Sequence, residues 1–196
     1  MKKTSYFKTA LLFVTLVTPV LLITSCTNNQ KKEDTKAVAE EHNDAKFIDN
    51  KLEKDAQFLV NAAEINLEQI KLGKLAQQIG RTAYVKDLGI KMDVAHTKLQ
   101  SDLSELAKSK MISIPTTATD NANDAYKKLN EKSGKDFDQA YADMMVNSHK
   151  EAVSVFEKAS VNSTNDDIKN WATVSLPDLR ANLDKAIDCQ KKCSAK

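Results

Sequence analysis

Glu68, His96 and His149 are the residues with which this chain could do chemistry. Glu68 stands about thirteen residues before a helix break at Gly80-Arg81-Thr82, and His96 about fifteen after it. His149 stands about fourteen before a second break at Asn162-Ser163-Thr164-Asn165, and Asp178 about fifteen after that one. At about 1.5 Å per helical residue the four share one depth, near mid-helix. Helical phase puts Glu68, His96, His149 and Asn182 within roughly 80° of the apolar stripe of their own segments, at the flank of a core. One carboxylate and two imidazoles suit a single transition-metal ion, zinc, copper or iron rather than magnesium or calcium. The other reading of the same residues is a structural hydrogen-bond network with no cofactor. A di-iron oxidase needs two Glu-x-x-His pairs and two further carboxylates, and this chain has no Glu-x-x-His. Asp93-Val94-Ala95-His96 comes nearest, but Asp93 lies about 110° from the stripe centre.

Of the three cysteines, Cys189 and Cys193 lie one helical turn apart near the C-terminus and are a candidate disulfide. It would close only a small loop and stabilise little. No Gly-rich phosphate loop, nucleophile elbow or zinc spacing of cysteines occurs. Enzymatic activity is therefore not the first expectation.

Four long amphipathic helices must position these residues. Phe58, Ala62, Ile65, Leu72, Ala76 and Ile79 mark one apolar stripe within Lys51–Ile79, and Val85, Leu88, Met92, Leu99, Leu103 and Leu106 mark another within Thr82–Ser109. Gly80 is expected to end the first helix through its tolerance of positive φ. Gly73 and Gly89, equidistant from the break, would let the two backbones approach closely. A second pair repeats the arrangement. Phe137, Tyr141, Met144, Ser148, Ala152, Val155 and Ala159 face inward from Lys135–Ser160; Ile168, Ala172, Leu179, Leu183 and Ala186 do so from Asp166–Lys191. Thr164 or Asn165 can cap the fourth helix, and Pro177 is expected to kink it. Between the pairs, Lys110 to Gly134 reads as a long crossover: extended at Met111 to Pro115, turn-rich to Asn123, then a short helix over Asp124–Lys132. The architecture predicted is all-α, a four-helix bundle of two antiparallel hairpins, spanning 47–191 with a tail at 192–196.

Ahead of it, residues 1–25 read as an export signal. Lys2, Lys3 and Lys8 precede an apolar run, Thr9 to Ile23, that is too short to span a bilayer. Ile23-Thr24-Ser25-Cys26 resembles the lipobox of bacterial lipoproteins, which implies acylation of Cys26 and a membrane anchor. The formal charge of +2 includes those three lysines, and 1–25 holds no acid, so the remainder carries −1. That removes the case for a nucleic-acid partner. Residues 26–46 are polar and charged and read as a flexible tether, with His42 a bystander. Lys32-Glu33-Asp34 resembles the short signal that sends some lipoproteins to the cell surface. The address expected is the cell envelope, as an outer-membrane lipoprotein facing periplasm or exterior.

Ala62-Ala63-Glu64 with Glu68 and Leu72-Gly73-Lys74-Leu75-Ala76 resembles the opening of the ferritin-like family called domain of unknown function 4142. So do Ser133-Gly134-Lys135-Asp136-Phe137-Asp138, His149-Lys150-Glu151-Ala152-Val153 and Leu176-Pro177-Asp178-Leu179. The resemblance runs from about Asp55 to Ala186. It implies a ferritin-like bundle in exported bacterial proteins, with no activity to carry over. Members usually hold Asp-His where Ala95-His96 stands here, and histidine where Asn182 stands. Two functions compete on this reading: a non-enzymatic binding or stress-related protein meeting a protein or small ligand, and a metal-binding or degenerate oxidase-like bundle.

Overall fold

A computed structural model describes residues 33–195. Cys26, the export signal and the start of the tether lie outside the described residues. Within them the chain is all-α. Its helices are α1 (Thr35–Asp44), α2 (Asn50–Ile79), α3 (Ala83–Ser109), α4 (Asp120–Asn130), α5 (Gly134–Asn162) and α6 (Asp166–Ser194). Helices α2 and α3 form one hairpin, α5 and α6 another. The two hairpins meet through α2 against α5 and α3 against α6. No helix among the described residues is long and apolar enough to cross a membrane.

The two hairpins hold each other's turns. Asp138, near the start of α5, takes hydrogen bonds from the backbone N–H groups of Arg81 (2.8 Å) and Thr82 (3.0 Å) and from the Thr82 hydroxyl (2.7 Å). Asp55, near the start of α2, does the same for the other turn. It accepts from Thr164 N–H (3.1 Å), the Thr164 hydroxyl (2.8 Å) and Asn165 N–H (2.9 Å). Both carboxylates are 3 % exposed, so each is a buried charge satisfied by donors that would otherwise be orphaned at a helix start. Asp138 follows Asp55 by 83 positions, and the offset extends through the core. Phe58 and Tyr141, Ala62 and Met145, Asn66 and His149, Val85 and Ile168, and Leu99 and Asn182 are buried in matching places. The two hairpins thus bury corresponding residues at a constant offset along the chain.

Gly73 and Gly89 meet as their spacing predicted. A Cβ on Gly73 would come within 2.7 Å of the Gly89 carbonyl oxygen, and one on Gly89 within 2.7 Å of that of Gly73. Gly80 differs from expectation. Its φ is −53°, so it is not there for a left-handed conformation. Space is the reason: a Cβ would sit 2.5 Å from the Ala76 carbonyl oxygen. Left-handed backbone occurs instead at Gly134 (φ 60°), at the start of α5, and at Met111 (φ 56°) just past α3, where Ile112 N–H closes back on Ala107 O at 2.9 Å.

Three boundaries move. Helix α4 starts at Asp120 rather than Asp124, because the Thr119 hydroxyl accepts from Ala122 N–H at 3.3 Å and caps it. Helix α6 runs on through Ser194, continues unbroken past Pro177, and leaves little tail. The expected flexible tether is helical over Thr35–Asp44 and docked. Asp34 caps α1 and also accepts from Asp120 N–H. Lys36 pairs with Glu64 at 2.5 Å. The Asn43 amide both donates to Ser113 O and accepts from Ser113 N–H, each at 2.8 Å. The docking is polar, with Ala39 and Asn43 alone buried. A composition rule based on apolar burial therefore passes over it.

Candidate functional site

The apolar interior falls into two clusters. One is built on Phe58, Phe156 and Trp171 towards the turn between α5 and α6, and the other on Leu72, Phe137 and Tyr141 towards the turn between α2 and α3. Between them lies a polar belt. Asn66 and His96 stand fifteen residues either side of Arg81, and His149 stands fifteen before Thr164. At about 1.5 Å per residue each sits about 22 Å from its own turn, so the three lie within about one helical turn of each other near the middle of the helices. They are 1 %, 0 % and 1 % exposed.

The rings of His96 and His149 approach edge to face, with centroids 5.3 Å apart and planes at 71°. Their Nε2 atoms face each other at 3.2 Å. His149 Nδ1 lies 2.8 Å from the Met145 carbonyl oxygen, one turn back on α5. That oxygen only accepts, so Nδ1 carries the hydrogen and Nε2 of neutral His149 is a bare lone pair. His96 Nδ1 lies 2.9 Å from Asn66 Oδ1. With that oxygen accepting, His96 also presents a bare Nε2, and two lone pairs converge. Turning the Asn66 amide by half a rotation gives the alternative: its NH2 donates to His96 Nδ1, and His96 Nε2–H donates to His149. Burial, and then the neighbouring His149, hold His96 well below the usual histidine range. Burial lowers His149 too, against the raising effect of its bond to Met145.

Glu68 does not join the pair. It lies 200° round α2 from Asn66 and turns to α5, where Ser148 Oγ donates to its Oε1 at 3.4 Å. Burial first, then Glu64 and Glu151 nearby, lift its carboxyl from 4.5 to about 7 in spite of that bond. Among the described residues no three His, Cys, Asp or Glu side chains cluster closely enough to hold a metal ion. The three-residue ligand set expected from the sequence is thus brought together in two members only.

Four buried residues lie one turn nearer the turn between α2 and α3: Gln69, Met92, Met145 and Asn182. Met92 and Met145 are each four residues before a histidine of the pair, on the same helix, and are fully buried in one cluster. Gln69 Oε1 and Asn182 Nδ2 are buried without a hydrogen-bond partner. Asn182 Oδ1 accepts from Lys185 Nζ at 3.1 Å. Asn66, Gln69 and Met145 were not singled out from the sequence, and Met92 only as a member of its helix's apolar stripe. The signal that finds Asn66 is the 83-residue offset, which pairs it with His149.

His149 is deeper than its phase predicted. Met145, His149 and Phe156 line the core, whereas Met144, Ser148 and Val155 are half-buried. At the far end of α6, Cys189 and Cys193 are free thiols. Burial pushes Cys189 up to about 12, so it is held as the thiol. His42 is exposed on α1. Surface grooves of about 460 Å³ beside α1 and about 380 Å³ between α2 and α5 are lined by none of the belt residues.

No curated protein and no solved structure matches the chain. A family model does, over residues 36–188, nearly all of the helical region. The chain belongs to the family described as domain of unknown function (DUF4142).

Proposed function

We propose that the mature protein is a ferritin-like helical bundle held on the envelope by acylation of Cys26, and that it binds a metal ion in its polar belt without catalysing a reaction. One observation carries the binding reading: two imidazoles, 0 % and 1 % exposed, turn their Nε2 atoms to each other inside an apolar bundle. A molecule the size of a substrate has no way to such a centre, whereas an ion fits between two ring nitrogens. The anchor rests on the residues Ile23-Thr24-Ser25-Cys26, since two or three acyl chains hold a protein far more firmly than one at ~0.8 kcal/mol per buried CH2.

Elemental analysis of the untagged protein, with melts in the presence and absence of a chelator, tests the binding. Metal bound to the native state alone raises the melting temperature, and a chelator lowers it. The chelator effect disappears in the His96→Ala/His149→Ala double variant. A melt indifferent to chelator and added metal contradicts the reading. Fractionation of Cys26→Ala tests the anchor: the variant leaves the membrane fraction or stays unprocessed. A second reading, a surface offered to a protein partner, is favoured by Ile90 and Val94, which stand one turn apart on α3 at 49 % and 66 % exposure.

A further inference from the structure

We infer that the belt is a site for monovalent copper, held by Nε2 of His96 and Nε2 of His149 with the thioether sulfurs of Met92 and Met145 completing the coordination. The inference rests on the binding reading above and specifies its ion and its donors.

Separation of the nitrogens comes first. At metal–nitrogen bonds of about 2.0–2.1 Å, two Nε2 atoms 3.2 Å apart subtend an angle of about 100° at a shared ion. A linear two-coordinate ion would hold them about 4 Å apart on the same bond lengths. The pair is therefore arranged for a three- or four-coordinate ion, which needs further donors. The donors one turn away are Met92 and Met145, both fully buried. Thioether sulfur is a soft donor and selects copper(I) over zinc or magnesium.

Charge gives the same answer independently. Both imidazoles and both thioethers are neutral, and Glu68 is turned away to Ser148. A divalent ion on such donors would bring two uncompensated charges into the apolar interior, a monovalent ion one. The outer partners are also in place. Met145 O accepts from His149 Nδ1 and so frees that ring's Nε2 lone pair, and Asn66 Oδ1, 2.9 Å from His96 Nδ1, frees the other when it is the amide atom that accepts. This orientation of the Asn66 amide is the one that metal binding requires; the other consumes the His149 lone pair in a hydrogen bond.

The test is an anaerobic titration with copper(I) against a chromophoric chelator, on the full-length chain in detergent. Cys26→Ala, Cys189→Ser and Cys193→Ser together remove the competing thiols. One equivalent of copper is taken up. His96→Leu and His149→Leu each lose at least ~100-fold in affinity, the upper end of what removing even an outer partner of a metal ligand costs, and Met92→Leu and Met145→Leu at least ~10-fold. Leu for Met keeps volume and fold. Zinc(II) binds at least ~100-fold more weakly than copper(I), as soft donors dictate. Copper uptake unchanged in His149→Leu overturns the inference. Zinc or cobalt held at the pair in preference to copper overturns it while leaving the binding reading standing; no metal held at all overturns both. If the histidine variants fail to fold, copper X-ray absorption on the parent protein decides. Nitrogen and sulfur donors together are expected, and a spectrum with no nitrogen donors overturns the inference.

Discussion

At Glu68, burial against α5 lifts the carboxyl from an ordinary 4.5 to about 7. The folded chain thus keeps a proton there that the unfolded chain has lost. Its contribution to stability is complete below pH 4.5 and is lost as pH rises through about 7. The histidine pair acts in the opposite sense. Its members are held below the ordinary 6.5, so the unfolded chain takes up protons first and stability falls as pH drops below 6.5. Glu68→Gln removes the first effect alone. Its melting temperature is expected to exceed that of the parent at pH 8 and to match it at pH 5; equal differences at both pH values would show that Glu68 is not buried as an acid. At this scale the sequence spoke through its apolar residues. Phe58, Leu72 and Leu99 follow from period, because hydrophobic spacing is what a helix face records. Asn66 and Gln69 did not, because a polar residue in a core leaves the same mark as one in water. His149 was placed at the flank, since Met144, Ser148 and Val155 make a stripe as regular as the true one at Met145, His149 and Phe156.

Helices α2 and α3 are held close by Gly73 and Gly89, and here spacing from the break was enough to read the contact. Gly73→Ala gains helix propensity of about 1 kcal/mol. It also drives a methyl to 2.7 Å from Gly89 O and 2.9 Å from Asp93 N, both backbone atoms that can yield only by parting the helices. The variant is expected to be ~1–3 kcal/mol less stable in urea melts. A neutral or stabilised variant would mean that the close approach is absent. Helix α1 illustrates the other case. Its residues carry too little apolar surface for burial to announce it, and it is fixed by Asp34, Lys36 and Asn43 through bonds to partners as far as 86 positions away. Long-range polar pairing has no local period, so no window of sequence contains it.

Over the whole molecule, the pairing of hairpins was legible from the long crossover, but the cross-capping of their turns was not. Asp55 and Asp138 look like ordinary first-turn acids until the other hairpin's turn is brought to them. Each satisfies three donors from a buried position. Asp55→Ala and Asp138→Ala are each expected to cost ~2–4 kcal/mol, since charged hydrogen bonds are lost and turn donors are left unpaired. About 26 helical residues, near 39 Å, separate them. The double variant should therefore lose the sum of the two within ~0.5 kcal/mol. A double loss well below the sum would mean that one hairpin unfolds ahead of the other.

The belt between the two apolar clusters holds the proposed metal site, and the state of its ring nitrogens decides whether an ion can be held there. Nitrogen-15 resonances of the His149 imidazole, recorded on metal-free protein between pH 8 and pH 5, report which nitrogen bears the hydrogen. A proton fixed on Nδ1, a bare Nε2 and no titration near 6.5 are the result expected from a ring bound to Met145 O and facing His96. A proton on Nε2 with ordinary titration would contradict it, since no ion could then be held between the two histidines.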